Sequence, residues 1–358
     1  MDSRNNFKAI GLMSGTSLDG LDIAYAHFAK NKGQWSFSLK KSTTIRYSSA
    51  WVQKLSTAQH LTGEQLLELD SAYGKFLGKV CSDFIRRNRL KVDFIASHGH
   101  TIFHQPKKRF TYQLGNGSAI HAACGVPVVY DFRSLDVMQG GEGAPLVPVG
   151  DKFLFSDYDV CLNLGGIANL SREVGGKRVA FDICFANMGL NYLASKIEKE
   201  FDKNGALSSE GEIDMAMLKK LDAVYSSLRK SRPSLGREMF EARIKPVLDD
   251  PGVDLKDKLR TMTLSSAKEI ALAITSEKKR CNVLCTGGGA FNSFFISQLL
   301  DQCGDNITLI IPDSDVIKFK EAIVFAFLGV LRVRGETNCL KSVTGAISDS
   351  CSGSMIGF

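Results

Sequence analysis

Two glycine-rich turns, about 150 residues apart, constrain this chain more than any other feature. The first lies in Ile10-Gly11-Leu12-Met13-Ser14-Gly15-Thr16-Ser17-Leu18-Asp19-Gly20-Leu21-Asp22, the second in Leu162-Asn163-Leu164-Gly165-Gly166-Ile167-Ala168-Asn169-Leu170. Each joins an apolar run to a second alternating run, Ile23 to Ala26 in one case and Leu170 to Val174 in the other. A strand, a small-residue turn and a returning strand make a hairpin, and glycine lets its backbone N–H groups come close to phosphate oxygens. Two such hairpins imply two similar half-molecules clasping one nucleotide. That arrangement points to phosphoryl transfer.

The rest of the pattern is consistent with a duplication. From Phe7 to Tyr47 three antiparallel strands follow one another, the last two separated by the turn residues Asn31-Lys32-Gly33. Between Gly63 and Asn88, apolar residues at Leu66, Leu69, Tyr73, Phe76, Val80 and Phe84 have the spacing of a long amphipathic helix. A short buried strand, Phe94-Ile95-Ala96, leads into Ser97-His98-Gly99-His100-Thr101. Near residue 150 the strand–turn–strand–strand order restarts, at 160–164, 168–174 and 178–183. Helices are expected at roughly 187–203, 209–228, 236–248 and 255–277. Val283-Leu284-Cys285 then runs into Gly287-Gly288-Gly289 and a helix from Phe291, and a last helix is expected to begin near Lys320. Strands then helices, twice over, describe a duplicated α/β fold with a cleft between the halves. The expected domains are 1–150, completed by 336–358, and 151–335. The segment Gly140 to Pro145 is too glycine-rich to be rigid alone and is expected to cross between the halves.

Composition narrows the function. The 358 residues suggest two domains, and 44% hydrophobic with 23% charged residues suit a globular protein. The net charge of +7 comes without an arginine-rich arm, so no nucleic acid is implied. Nine cysteines without regular spacing, several inside apolar runs, fit a reducing compartment. The longest apolar run, Ala322 to Leu331, is about half a membrane span, and the first residues lack the apolar core of a signal peptide. A cytoplasmic protein, not bound to membrane, is therefore expected. No Walker-type G-x-x-x-x-G-K-[ST], no G-x-G-x-x-G after a strand and no G-x-S-x-G occurs.

Several residues carry chemistry by type and place. Asp182 follows Val179-Ala180-Phe181 and precedes a helix, so it either takes a proton from an attacking water or caps the helix near Asn187. Gly15, Thr16 and Ser17, with the turn running on through Leu18, Asp19, Gly20, Leu21 and Asp22, offer donors to β- and γ-phosphates. Asp19 and Asp22 suit a magnesium ion held through water, although Asp-Gly is also an ordinary turn pair. Gly165 and Gly166 add a second phosphate turn. Gly287, Gly288 and Gly289 would let the backbone lie against adenine or ribose, and a plain turn into a helix is the competing account. His98 and His100 would share one face of an extended segment, as two metal ligands do, but no cysteine or carboxylate at ligand spacing completes a zinc set. Arg133 suits an anion held bidentately, or an internal pair with Asp131 or Asp136. Glu321 would gain from the dipole at the start of its helix.

Taken in order, Met13-Ser14-Gly15-Thr16-Ser17-Leu18-Asp19-Gly20, His98-Gly99-His100-Thr101, Asp131-Phe132-Arg133, Gly140-Gly141-Glu142-Gly143-Ala144-Pro145, Asn163-Leu164-Gly165-Gly166-Ile167-Ala168-Asn169, Gly287-Gly288-Gly289, Glu321-Ala322 and Ser342-Val343-Thr344-Gly345 resemble the motifs of the anhydro-N-acetylmuramic acid kinases. Those belong to the acetate kinase, sugar kinase, Hsp70 and actin superfamily, and the resemblance spans nearly the whole chain. It implies two RNase H-like domains around an interdomain cleft, commonly in a homodimer. It further implies ATP- and magnesium-dependent opening of 1,6-anhydro-N-acetylmuramic acid by water, with phosphorylation of O6, in peptidoglycan recycling. On this resemblance Asp182 is the base and His98 and His100 donate to sugar oxygens. Arg133 meets the γ-phosphate or the lactyl carboxylate, and Glu321 reaches the substrate. The chain departs from the family pattern in two places. Asp182-Ile183-Cys184-Phe185-Ala186-Asn187 replaces Asp-Thr-Gly-Pro-Gly-Asn, and His100 stands where a glutamine is usual. The first departure keeps open a nucleotide-binding regulator that has lost turnover; a kinase for another sugar is the other alternative.

Overall fold

A computed structural model describes residues 4–15, 18–275 and 280–358. It divides into two compact units, Met1–Leu154 with Phe319–Phe358 and Phe155–Lys318. Thr16 and Ser17, both in the expected phosphate turn, lie outside the described residues.

The first unit is built on β1 (Asn6–Ser14), β2 (Gly20–Asn31), β3 (Gln34–Arg46), β4 (Phe94–Gln105), β5 (Phe110–Leu114) and β6 (Val128–Tyr130). The order is β3-β2-β1-β4-β6, with the strand Ser354–Ile356 beyond β6 and β5 paired to β4. β2 runs antiparallel to both neighbours, whereas β1, β4 and β6 are parallel. A central run in which only the second strand opposes the others is the RNase H-like order. One face of the sheet packs Phe28, Trp35 and Phe94 against the buried stretch Ala322 to Leu331 of the helix Ser314–Arg334. Glycine permits that approach: a Cβ on Gly329 would lie 2.7 Å from the Phe94 ring. The opposite face packs Ile10, Leu12 and Ile95 with Tyr73, Leu77 and Cys81 of the helix Gly63–Asn88. A reciprocal Thr62–Gln65 cap starts that helix and Arg89, at φ 51°, ends it.

The second unit repeats the plan with β7 (Val160–Leu164), β8 (Ile167–Val174), β9 (Lys177–Phe185), β10 (Cys281–Thr286) and β11 (Ile307–Ile310). Its order is β9-β8-β7-β10-β11, and again only the second strand, β8, opposes the rest. The helix Leu255–Thr275 buries Leu259, Met262, Ala267, Ile270 and Ile274 against this sheet's Leu162, Leu170 and Phe185. The duplication expected from the two turns is thus present strand for strand.

Three local expectations change. The last helix begins at Ser314, so Glu321 sits two turns inside it and Asp315, not Glu321, occupies the first turn. The chain returns to the first unit at Phe319, within this helix, because the apolar run after it packs on the first sheet. The segment Gly140 to Pro145 lies inside the first unit and is tied down there. Gly141 N–H donates to the Asp136 carbonyl (2.9 Å), Glu142 N–H to the Thr344 carbonyl (2.8 Å) and Gly143 N–H to the Asp136 carboxylate (2.8 Å).

Candidate active site

Asp182 lies near the end of β9, paired in register with Asn169 of β8. Ile183, unpaired in the ladder, forms a bulge opposite Ala168 and Asn169, and such a bulge re-aims the side chains beside it. The Asp182 carboxylate accepts the Leu235 N–H at 2.9 Å, from a loop between the helix Met215–Ser231 and Arg237. It does not cap the following helix, which begins at Asn187 with no side-chain cap at Ala186. Burial raises the Asp182 pKa above its ordinary value, and the Leu235 N–H opposes that rise. The carboxylate borders a cavity of about 100 Å³ shared with Arg229, Arg232 and Glu269. A partly desolvated carboxylate with one anchoring donor is suited to accepting a proton. Sequence reasoning did not single out Leu235. Pro233 and Gly236 mark a turn, but nothing in the sequence says which distant carboxylate its backbone will meet.

The second unit also gathers both of its glycine turns. Gly165-Gly166 is the two-residue turn joining β7 to β8, and its carbonyls accept the N–H groups of Ala186, Asn187 and Met188. The Asn187 amide donates to the Leu164 carbonyl (3.0 Å). Gly287, at φ +85°, and Gly289 press against Leu164 so closely that a Cβ would lie 2.7 and 2.8 Å from its atoms, so neither position admits a side chain without movement. The expected nucleotide turns of this unit are therefore contiguous, with Asn187 between them.

In the first unit Leu18 closes the turn after β1 at φ 61°, its N–H reaching the Gly15 carbonyl at 3.4 Å. Leu21 points into the core and pairs with Ser14 and Ile45 on either side, and Gly20 lies tight against Ile45. Asp19 is exposed and Asp22 half-buried, the latter accepting the Thr44 hydroxyl at 2.5 Å. Burial raises the Asp22 pKa, the Thr44 hydroxyl opposes this, and the nearby Asp19 adds to the rise. Mutual repulsion between two carboxylates is what a hydrated divalent cation would relieve, so the donor set fits magnesium held through water. Among the described residues no group of three or more His, Cys, Asp or Glu side chains forms a metal cluster.

The two histidines part company. β4 shifts register between the pairs Leu12↔Ser97 and Ser14↔His100, with Gly99 at φ +76° inside the shift. A one-residue slip sends the following side chains to the other face, so His98 and His100 do not share one, contrary to expectation. His100 Nδ1 and Ser14 Oγ share a hydrogen bond at 2.9 Å, Tyr47 donates to Ser14 at 2.7 Å, and Tyr47 meets Tyr73 at 2.6 Å. A hydroxyl accepts twice, so Ser14 can also take Tyr47's bond with the His100 ring in either tautomer, and the Nε2–H form leaves the ring a free donor. Burial pushes the His100 pKa down to about 4, so it is neutral at physiological pH. Replacing Tyr47 by Phe strands the buried Tyr73 hydroxyl and removes the donor to Ser14. The expected cost is about 1–3 kcal/mol, read as a lower midpoint in denaturant unfolding.

His98 instead packs against Phe325, ring centroids 4.6 Å apart, and uses both ring nitrogens within the protein. Nδ1–H donates to the Gly99 carbonyl (2.8 Å), and Nε2 accepts from Arg133 Nε (3.0 Å) and Nη2 (2.9 Å). It therefore has no N–H to offer a sugar, contrary to the role expected for it. Arg133 also donates Nη1–H to the Gly143 carbonyl (2.7 Å). Neither Asp131 nor Asp136 takes the expected internal pair. Asp131 accepts from Ser134, while Asp136 accepts from Thr344, Cys339 and Gly143. Of the five N–H donors of a guanidinium, one on each terminal nitrogen of Arg133 remains. Glu321, exposed on its helix, acts on the Arg133 charge through space.

Residues 7–357 match the family model for anhydro-N-acetylmuramic acid kinase. The chain belongs to that family. Relatives carrying the name anhydro-N-acetylmuramic acid kinase include proteins of Sulfurimonas denitrificans (30% identical, 97% of this chain and 98% of the relative), Francisella tularensis subsp. novicida (30%, 95% and 96%) and Paramagnetospirillum magneticum (31%, 94% and 96%). In this anhydro-N-acetylmuramic acid kinase family member, the altered residues after Asp182 extend a strand. Cys184 and Phe185 pair with Ala168 and Ile167 of β8, and all four residues from Ile183 to Ala186 are buried. Phe185 meets Phe240 edge to face at 5.6 Å. The larger side chains fill the core beneath Asp182.

Proposed function

We propose that this protein uses ATP to phosphorylate 1,6-anhydro-N-acetylmuramic acid at O6 while water opens the anhydro bridge, yielding N-acetylmuramic acid 6-phosphate for peptidoglycan recycling. The observation that carries the reading is Asp182, a half-buried carboxylate with a raised pKa and a single backbone anchor at Leu235, in a chain of this family. Asp182 takes a proton from the water whose oxygen bonds to the anomeric carbon. The bond from that carbon to O6 breaks, and O6 bonds to the γ-phosphorus as ADP leaves. Backbone N–H groups from Gly15 to Asp22, with those at Gly165 and Gly166, oppose the phosphate charge, and Gly287 to Gly289 lie along adenine or ribose. Magnesium, held through water by Asp19 and Asp22, would neutralise the charge between the β- and γ-phosphates. His100 donates from Nε2 to a sugar oxygen, Arg133 meets an anionic group and Glu321 reaches the substrate.

A cytoplasmic homodimer completes the proposal. It is in keeping with nine cysteines all free, and among the described residues no helix is long and apolar enough to cross a membrane. The test is a mass-spectrometric assay with ATP, magnesium and the anhydro sugar in isotopically labelled water. A 6-phosphate carrying label at the anomeric hydroxyl, before mutarotational exchange, is expected. ATP binding with no product would leave a regulator, and unlabelled product would leave a kinase acting by another route.

A further inference from the structure

Arg133 is held by uncharged hydrogen-bond partners, and Glu321, the carboxylate that acts on its charge, does so only through space. Those partners are an imidazole nitrogen and a peptide carbonyl, neither of which carries a negative charge to cancel the guanidinium's. A carboxylate in the place of His98 would orient Arg133 equally well and neutralise it. A neutral acceptor orients it and leaves the positive charge for a ligand. The support extends outward from both partners. His98 is 5% exposed, its ring fixed by the Gly99 carbonyl and by Phe325. The Gly143 carbonyl belongs to a residue whose own N–H is bound by Asp136, and Asp136 is anchored in turn by Thr344 at 2.7 Å and Cys339 at 3.1 Å.

We propose that His98 is a positioning residue, a neutral acceptor that, with the Gly143 carbonyl, presets Arg133 to receive an oxyanion of the substrates. The inference rests on the functional reading above, since the oxyanion is either the lactyl carboxylate of the sugar or the γ-phosphate of ATP. Both present the same chemistry to the two N–H groups that Arg133 has left.

Three variants of the full chain test it. His98→Leu removes the acceptor, His98→Gln restores one at about the reach of Nε2, and His98→Asn keeps a polar group too short to reach Arg133. Calorimetric binding of 1,6-anhydro-N-acetylmuramic acid and, separately, of ATP is measured alongside turnover. The binding arm therefore scores the inference even in a protein that makes no product, the outcome that would sink only the functional reading. His98→Leu and His98→Asn are expected to weaken one of the two ligands about tenfold, roughly one charge-assisted hydrogen bond, and to leave the other unchanged. His98→Gln is expected to stay within about threefold of the wild type. Weakened sugar binding identifies the lactyl carboxylate as the anion, and weakened ATP binding the γ-phosphate. Should His98→Leu not fold, His98→Asn carries the comparison. Unchanged binding of both ligands by the acceptor-free variants, or a loss in His98→Gln equal to theirs, would overturn the proposal.

Discussion

Asp182→Asn is expected to lower kcat about 10³-fold while leaving a folded protein that binds both substrates, the magnitude of a lost general base. Asn keeps an oxygen for the Leu235 N–H at the same place, so the loop retains its anchor. The stability effect should run the other way. A carboxylate whose pKa is raised on folding works against the folded state while it is ionised, and that deficit fades as pH falls through the folded value. At neutral pH the Asn variant should therefore melt no lower than the wild type. The wild-type pH–rate profile carries the same sign. The base works only when ionised, so the acid limb should lie above the ordinary carboxylate value of 3.8 and flatten once Asp182 is deprotonated. A variant that loses less than about tenfold in kcat, or a limb at or below that value, would remove Asp182 from the role of base.

The second large effect is structural. Gly11, in the middle of β1, lies under the helix Ser314–Arg334, and a methyl group there would overlap the Ala322 carbonyl oxygen and approach the Ala326 nitrogen at 2.9 Å. Backbone cannot rotate away as a side chain can, so Gly11→Ala must push the helix off the sheet. We expect a loss of at least about 3 kcal/mol, at or beyond the upper end of ordinary overpacking, read as a collapse of the denaturant midpoint or as insoluble protein. Gly63→Ala is the control. Nothing lies within 4 Å of a Cβ there, and alanine at the first position of a helix should be neutral or mildly stabilising. Similar midpoints for the two variants would mean that the helix does not rest on Gly11 as described.

What could be read from the sequence was what depends on neighbours along the chain. The period of Leu66, Leu69, Tyr73, Phe76, Val80 and Phe84 placed the helix Gly63–Asn88, and the turn pair with its flanking alternation placed six strands in two matching sets. The candidate base was also visible, because Asp182 ends an apolar run. Contacts that close over long separations were not. The Leu235 N–H reaches Asp182 across 53 residues, and the Tyr47 hydroxyl reaches Ser14 across 33. The histidines failed for a local reason instead. Alternation places His98 and His100 on one face, but the register shift around Gly99 breaks the alternation where the expectation needed it. The expected place of Glu321 at the start of its helix failed because Ser314 to Phe319 is only partly apolar, which hid the first turns of a helix whose unbroken buried run begins at Ala322.

The discontinuity of the first unit bears on how the protein is made. The second unit is one unbroken stretch, Phe155–Lys318, and all its strands have left the ribosome once residue 310 has emerged. The first unit begins the chain, yet one face of its sheet is covered mainly by the buried stretch Ala322 to Leu331, with Leu146 and Val149 beside it, and β6 gains its outer neighbour only at Ser354–Ile356. Phe28, Trp35 and Phe94 therefore emerge early and wait for that helix while more than half the chain is still being synthesised. By this topology the second unit can complete its sheet before the first, the reverse of the usual order in which the N-terminal part folds first. A nascent chain stalled before residue 319 holds a finished second unit and a half-clad first sheet, which makes that interval the one in which a chaperone has most to do.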